Sequence, residues 1–474
     1  MRMTKIVVTL GPATDSREVL RDILLAGANV CRINFSHGNP EEWLSRITLV
    51  NELRDELDIP VALLADTRGP EVRVGMFREE AVELTAGDNF ILTTAACEGD
   101  ARRVSVTYDG LPRDVRRGTR ILLDDGLIEL KVESVTDTEI STTIINGGPI
   151  SSKKSINVPS IRLSLPFISS KDRADFRFIA ENSFDFIAAS FTQSAQDVQQ
   201  LREELHRLNA SHIRIISKIE NAEGVSNMNA ILEASDGVMV ARGDMGVEIA
   251  LEELPIIQKA LIKSAYESGK HVITATQMLE SMIHNPRPTR AETSDVANAI
   301  YDGTSAIMLS GETAKGKYPV EAVRTMARIA ERTERDIDYR KRFFRQESEK
   351  LTTVANAISH ATVTTAHDLS ARAILTLTKS GMTARHISRY RPACPIISCT
   401  IEPLIQRQLN LAWGVVPLLM EEQSSTEALF SRAVEILMQK GLVEEGDLVA
   451  ITAGSLGISG TTNLLKVHVV GDQI

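Results

Sequence analysis

The sequence predicts an α/β protein: a TIM (β/α)8 barrel, a small all-β lid domain inserted after the barrel's third strand, and a C-terminal α/β sandwich domain. Three observations carry this. Short apolar runs alternate with amphipathic segments from Thr4 to Asp66 and again from Leu165 onward, the pattern of parallel βα units. Between those stretches the rhythm gives way to short β-like runs split by Ala-Gly-Asp, Asp-Gly and Asn-Gly-Gly turns. Three strand candidates before the interruption and five after it make the eight of a barrel. The expected boundaries are 1–70 and 166–337 for the barrel, 71–165 for the lid and 351–474 for the C-terminal domain.

Composition narrows the function. Asp and Glu number 63 against 53 Lys and Arg, a net charge of -10, and aromatic residues make up 4%. The chain therefore carries neither the basic footprint nor the stacking platform of a nucleic-acid binder. Cys31, Cys97, Cys394 and Cys399 show no metal-ligand spacing and no disulfide framework, as expected in a reducing compartment. The opening MRMTKIVVTLGP is too short in its apolar run for a secretion signal, and no later run is long enough to span a membrane. A cytoplasmic protein with no membrane partner is expected.

Taken in order, TKIVVTL reads as the first strand, followed by a helix near Arg17–Ala26, the strand NVCRINFS, a helix near Glu41–Leu57 and the strand VALLAD. In NVCRINFS the two-residue period puts Arg32, Asn34 and Ser36 on one face, and Cys31, Ile33 and Phe35 on the other. Arg32 offers a planar fork to phosphate or carboxylate, and the oxygens of Asn34 and Ser36 are hard ligands for a cation. The third strand ends in Asp66-Thr67-Arg68-Gly69-Pro70, where the lid begins. Its runs are AVEL, NFILTT, RRVSVTY, TRILLDDGLIELKVESV and EISTTII, and Asp124-Asp125-Gly126 reads as a hairpin turn rather than a metal loop. The two crossings, near Pro70 and Pro166, are candidate hinges.

The βα rhythm resumes at Leu165, with Ser169 or Ser170 as N-cap, and runs through DFIAASF, IRIISKIE, GVMVARGD, HVITATQ and SAIMLSGE. Lys218 and Glu220 lie two apart and point the same way at the end of their strand, with Ile219 opposite. Asp244 follows the next apolar run within Arg-Gly-Asp-Met-Gly, whose glycines allow the backbone close to a ligand. Two carboxylates without His or Cys suit a Mg²⁺-like ion with open positions, and a lysine beside them suits phosphoryl transfer or enolate chemistry. A structural ion pair is the plain alternative. Against it, Arg32, Asn34, Ser36, Asp66, Lys218, Glu220 and Asp244 all fall at strand C-termini, where barrel chemistry gathers, and Thr274 and Thr276 are expected to add hydroxyls on one face of strand seven. Gly311–Lys317 nearly spells a phosphate loop, but Tyr318 replaces the required hydroxyl, so the segment closes strand eight and opens a helix near Pro319.

A charged run at 336–350 marks a linker, and the C-terminal domain follows as alternating helices and strands. Its turn Thr376–Thr383 places hydroxyls, Lys379 and Gly381 at a helix start, a phosphate cradle or a plain N-cap. The stretch Gly454–Thr462 is positioned to close over the same anion.

With these residues assembled, the chain closely resembles the pyruvate kinase family along nearly its whole length. TKIVVTLGPA, RINFSHG, DTRGPEVR, SKIENAEG, ARGDMGVE, TATQMLESM, NPRPTRAE, MLSGETAKGKYP and TKSGMTAR all stand in the family's order. The resemblance implies Mg²⁺- and K⁺-dependent transfer of the phosphoryl group of phosphoenolpyruvate to ADP, giving pyruvate and ATP, the last step of glycolysis, by a homotetramer. By motif position it implies that Arg32 contacts the substrate phosphoryl group, Glu220 and Asp244 bind Mg²⁺ or Mn²⁺, and Asn34, Ser36, Asp66 and Thr67 hold K⁺. Lys218 is implied to stabilise the transferring phosphoryl and the enolate, Gly243, Asp244 and Thr276 to frame the substrate, and Thr276 to lie on the route of enolate protonation. Asn34, His37 and Arg73 match nucleotide contacts, and Thr378, Lys379, Ser380, Gly381 and Thr383 match the site of a phosphorylated allosteric effector. Glu71 stands where K⁺-requiring members carry glutamate, implying K⁺ dependence. Arg68, where lysine is common, and NVPSIRLSLP depart from the usual pattern. The extra C-terminal domain of some bacterial members is expected to be absent.

Two rivals differ in class. A barrel lyase or aldolase would use Lys218 as a Schiff base. A non-catalytic sugar-phosphate sensor would keep the effector domain and lose a barrel ligand, and the residues named above include every barrel ligand.

Overall fold

The computed structural model describes residues 1–159, 161–345, 353–454 and 461–473. Eight strands, Lys5–Thr9, Val30–Asn34, Ala62–Asp66, Phe186–Ala189, Arg214–Ile219, Gly237–Ala241, His271–Ala275 and Ala306–Leu309, close into a barrel in chain order. Every neighbouring pair is parallel. The two-residue period sorts their side chains. Val7, Leu64, Phe186, Ile216, Met239 and Ile273 fill the barrel interior. Ile6, Cys31, Ile33, Leu63, Ile215 and Val272 face the surrounding helices. Cys31 is an ordinary member of that outer layer, its thiol pushed up to about 12 by burial.

Helix starts follow capping chemistry. Asn39 accepts from Glu41 and Glu42 ahead of the helix Pro40–Leu57. Ser169 and Asp172 form a reciprocal capping box at Ser170–Glu181, the first helix after the lid. Among the described residues, no helix is long and apolar enough to cross a membrane.

The inserted segment forms a seven-stranded sheet in the order Val72–Arg73, Ser155–Asn157, Arg120–Leu123, Ile128–Val135, Glu139–Asn146, Asn89–Thr93 and Arg103–Ser105, with Ala81–Leu84 and Gly148–Ser151 paired beside it. Val72, Phe90, Leu92, Ile121, Leu130 and Ile140 belong to its own core. Asp124, Asp125 and Gly126 all have positive φ and join adjacent antiparallel strands, which is the hairpin reading. The short strands at Val72, Gly148 and Ser155 and the helical turn Leu111–Asp114 were not separate expectations. They are too brief to show a period.

The C-terminal domain is a five-stranded sheet, Val415–Leu419, Ile396–Thr400, Ala373–Leu377, Leu448–Gly454 and Thr462–Val469, parallel except for its last strand. It does not merely abut the barrel. Leu411 enters the interior core of the barrel floor. Around it Asn410 donates to the Asn29 and Pro60 carbonyls at 3.0 and 2.7 Å, Gln408 to the His212 carbonyl at 2.8 Å, and Arg407 to the Asp185 carboxylate at 2.7 Å. These partners lie at the lower ends of strands two to five. Leu411→Ala is expected to cost about 2–5 kcal/mol, because the floor cannot collapse around the lost volume. Urea unfolding followed by tryptophan fluorescence checks this, with the exposed Leu369→Ala as a control that stays within about 0.5 kcal/mol of the parent.

Candidate active site

At the upper mouth of the barrel, strands one to six bring charged groups from distant segments into contact. Strands two and three pair Asn34 with Asp66. Asp66 is 1% exposed. One carboxylate oxygen accepts from Arg32 Nε at 2.6 Å, and the other accepts from Lys218 Nζ at 3.1 Å. Arg32 also donates to the Thr9 hydroxyl at 2.9 Å. Burial opposes ionisation of Asp66, but Arg32 and Lys218 outweigh it and hold the carboxyl below its ordinary range.

Lys218 and Glu220 share a face, as their spacing requires. Lys218 Nζ lies 2.9 Å from Glu220 Oε1. Burial works against the ammonium, yet Asp66, Glu220 and Asp244 more than offset it and keep Lys218 charged well above the usual lysine range. Glu220 is pushed up to about 7, chiefly by burial and further by Asp244, against the pull of Lys218. Its Oε2 accepts the Phe191 N–H at 2.5 Å, while the buried Oε1 faces the Lys218 ammonium and no other donor among the described residues. Burial raises Asp244 as well. The group Asp66, Glu220, Asp244, Arg32 and Lys218 thus holds one more carboxylate than cation.

The Arg-Gly-Asp-Met-Gly stretch differs from its expectation. It is not a loop but the short helix Arg242–Glu248, directly continuing the sixth strand. A Cβ at Gly243 would meet Thr276 at 3.6 Å, an ordinary contact, so packing against the protein itself does not demand that glycine. Gly243 instead donates its N–H to the Thr276 hydroxyl at 2.8 Å, and that hydroxyl donates to the Ala275 carbonyl. Arg242 is tied to Asp295 at 2.7 Å and to the Thr276 carbonyl at 2.6 Å, fixing the start of its helix to the helix Arg290–Asp302 and to the end of the seventh strand.

Thr274 and Thr276 do not share a face. Thr274 is fully buried and bonded to Thr304, on the side of outward-facing Val272. Thr276 lies past the strand at φ +67°, with Gln277 at +52°, so the period no longer applies. Left-handed backbone at such residues is strain that the surrounding contacts maintain.

Sequence reasoning missed Ser190. Its hydroxyl accepts from Lys218 at 2.8 Å and donates to the Thr67 carbonyl at 2.6 Å, fixing the ammonium from its third side. Next to it Phe191 sits at φ +54° and presents its N–H to Glu220. The available signal was the serine at the end of DFIAASF, a barrel strand from which no polar terminus was drawn. Gly69 is needed there too: its φ is +70°, and a Cβ would come within 3.0 Å of Ser190.

Of the other expected residues, Ser36 donates its N–H to Asn34 Oδ1 at 3.0 Å, and the Thr67 hydroxyl accepts the Ser190 N–H at 3.1 Å. A cleft of about 1080 Å³ between barrel and lid is lined by His37, Glu71, Arg73, Asp124, Asp244 and Lys315 among others. In it Arg73 grips Glu71 through two 2.8 Å hydrogen bonds. His37 is pulled below its ordinary pKa by burial and by Arg73, so it is neutral near pH 7.

The C-terminal turn is distinct from this mouth. Gly381, at φ +75°, caps the helix Met382–Ser388, and the Thr378 hydroxyl accepts the Gly381 N–H at 3.0 Å. Lys379 pairs with Glu422 at 2.7 Å beside Ser380, whereas Thr383 is buried against Thr462. Of Gly454–Thr462, residues 455–460 lie outside the described residues.

Residues 1–323 match the family model described as pyruvate kinase, barrel domain, and residues 356–468 match pyruvate kinase, alpha/beta domain. The chain belongs to the pyruvate kinase family. It is similar to the pyruvate kinase of Geobacillus stearothermophilus, 50% identical over the whole chain and 81% of that protein. It is 49% identical to that of Bacillus licheniformis with the same coverage, and 46% identical to that of Clostridium acetobutylicum over 99% of this chain and 100% of the relative. The cluster at the barrel mouth is therefore the candidate active site of a pyruvate kinase family transferase. Replacing Ser190 by Ala is expected to lower kcat about tenfold by freeing Lys218, with little change in the nucleotide KM, as steady-state kinetics would show.

Proposed function

We propose that the enzyme moves the phosphoryl group of phosphoenolpyruvate to ADP, forming pyruvate and ATP, with Mg²⁺ or Mn²⁺ and K⁺ as required cations. The observation that supports this most directly is the ammonium of Lys218, held charged between Asp66, Glu220 and Ser190 beside Arg32. Transfer from an enol phosphate leaves negative charge on the phosphoryl group and on the departing enolate, and fixed cations stabilise both. Arg32 serves as the phosphoryl clamp and Lys218 as the neutraliser of the developing enolate. A charged lysine is a poor amine nucleophile, which argues against the lyase reading.

Glu220 and Asp244 fit a divalent ion. Both are buried oxygen donors forced upward in pKa by burial, and Lys218 alone does not balance their joint charge. When bound, the ion supplies Lewis-acid polarisation of phosphoryl oxygens. The oxygens of Asn34, Ser36, Asp66 and Thr67 would hold K⁺, which would supply further positive charge to the site. Gly243 and Thr276 frame the substrate through their mutual hydrogen bond, and Thr276 lies on the path by which the enolate is protonated. Asn34, His37 and Arg73 contact the nucleotide in the cleft, with Arg73 leaving Glu71 to do so. The domain boundaries, the homotetramer, the cytoplasmic location and activation by a phosphorylated metabolite at Thr378–Thr383 belong to the same proposal.

Pyruvate release from phosphoenolpyruvate and ADP, with and without K⁺, tests this. Activity is expected to require K⁺ and to fall at least about a thousandfold in Lys218→Met, the scale of losing a principal transition-state charge. Glu71→Lys is expected to relax the K⁺ requirement. No pyruvate under any cation would contradict the proposal. Proton and metal compete for Glu220, whose pKa stands near about 7 rather than 4.5. Below that pH the protonated form predominates, so the Mg²⁺ concentration for half activity should rise about tenfold per unit of acidification. Mg²⁺ titrations on either side of neutrality check the slope.

A further inference from the structure

A cationic seam runs between the barrel floor and the C-terminal domain. Lys270 and His271 line it from the seventh strand, and Arg385, Arg389 and Arg391 line it from the other side, around a cavity of about 10 Å³. That is room for one water-sized particle.

Among the described residues, neither Arg385 nor Arg391 is paired with a carboxylate there. Burial lowers Arg385 to about 10 and Arg214 adds repulsion, opposed by one acid, Asp236. Asp236 is already engaged by Arg202 at 3.2 Å, Arg214 at 3.1 Å and the Ile215 N–H at 3.0 Å. The only partner of the Arg385 guanidinium among the described residues is the Ser380 carbonyl, at 3.3 Å.

Arg391 is 3% exposed. Burial and Arg342 lower its pKa to about 9, opposed by the phenols of Tyr339 and Tyr266; the guanidinium lies 4.9 Å over the Trp413 ring, and no carboxylate among the described residues pairs with it. Its Nη groups reach the Ser388 and Gly303 carbonyls at 3.0 Å, but its Nε–H is buried with no partner among the described residues. Lys270 spends its protons on the Leu232, Glu233 and Ser235 carbonyls, adding charge and no free donor. Buried cations without a counter-charge are costly. A water would satisfy Arg391 Nε and leave the charge excess untouched.

We propose that this seam binds a small inorganic anion, chloride or an oxygen of phosphate, between Arg385 and Arg391. The ion clamps the helix Met382–Ser388, which starts at the Thr378–Gly381 turn, against the floor of the barrel.

Crystals of the full chain soaked in bromide should show an anomalous peak beside Arg391 Nε and the Arg385 guanidinium. In solution, replacing a bulky organic-anion salt with chloride or phosphate at constant ionic strength should raise the thermal midpoint saturably. Arg385→Gln, with Arg389→Gln as a second variant, should raise the half-saturating concentration about tenfold, the scale of one charged hydrogen bond. Lys379→Ala should leave it unchanged, separating the seam from the Thr378–Thr383 turn. A chloride response identifies a monatomic occupant and a phosphate-only response an oxyanion entering from the mouth, and either supports the site. An absent response, or one lost in Lys379→Ala and kept in Arg385→Gln, overturns it.

Discussion

The structure depends on the buried ion cluster at the barrel mouth, in which Asp66 joins Arg32 to Lys218 and Lys218 reaches Glu220. A buried carboxylate and a buried ammonium each cost several kcal/mol to desolvate, so neither is tolerated alone. Paired, they fix three separate strand ends relative to one another. The cluster also has a sign. With Asp244 it holds three carboxylates against Arg32 and Lys218, and the excess charge falls on Glu220 and Asp244, the two groups whose acidity burial suppresses. The site is in this sense unfinished electrostatically. On the proposed reading a divalent cation would complete it, and so would a proton, which links cation demand to acidity.

The rest of the fold keeps this cluster rigid and dry. Ser190 and the Phe191 N–H brace it from the fourth strand. Below, Leu411 seals the barrel interior and the hydrogen bonds of Arg407, Gln408 and Asn410 anchor the lower ends of strands whose upper ends carry the reacting groups. Above, the lid encloses the cleft, and Asn157 reaches Glu248 across it at 3.2 Å. The C-terminal domain and the lid thus meet the same strands from opposite ends.

The barrel was legible because its strands and helices are long enough to show a period, and because Arg32, Lys218 and Glu220 sit inside or at the immediate end of strands where alternation still holds. Thr276 was misplaced relative to Thr274 for the converse reason: a left-handed residue past the strand end breaks the period. The helix at Arg242–Glu248 was hidden by its two glycines, poor helix formers retained by tertiary contacts. Ser190 carries only its place at a strand end, and Leu411 carries no local signal. Their roles come from residues distant in the chain, Thr67 and Lys218 for one and the barrel floor for the other.

The central claim is that Glu220 and Asp244 form a cation site whose charge the protein leaves uncompensated. Mn²⁺ binding to the substrate-free enzyme, followed by electron paramagnetic resonance, tests it most directly. One site per chain is expected, weakened at least about tenfold in Glu220→Gln, the scale of one lost charged ligand. Equal Mn²⁺ affinity in the parent and the variant would contradict the account.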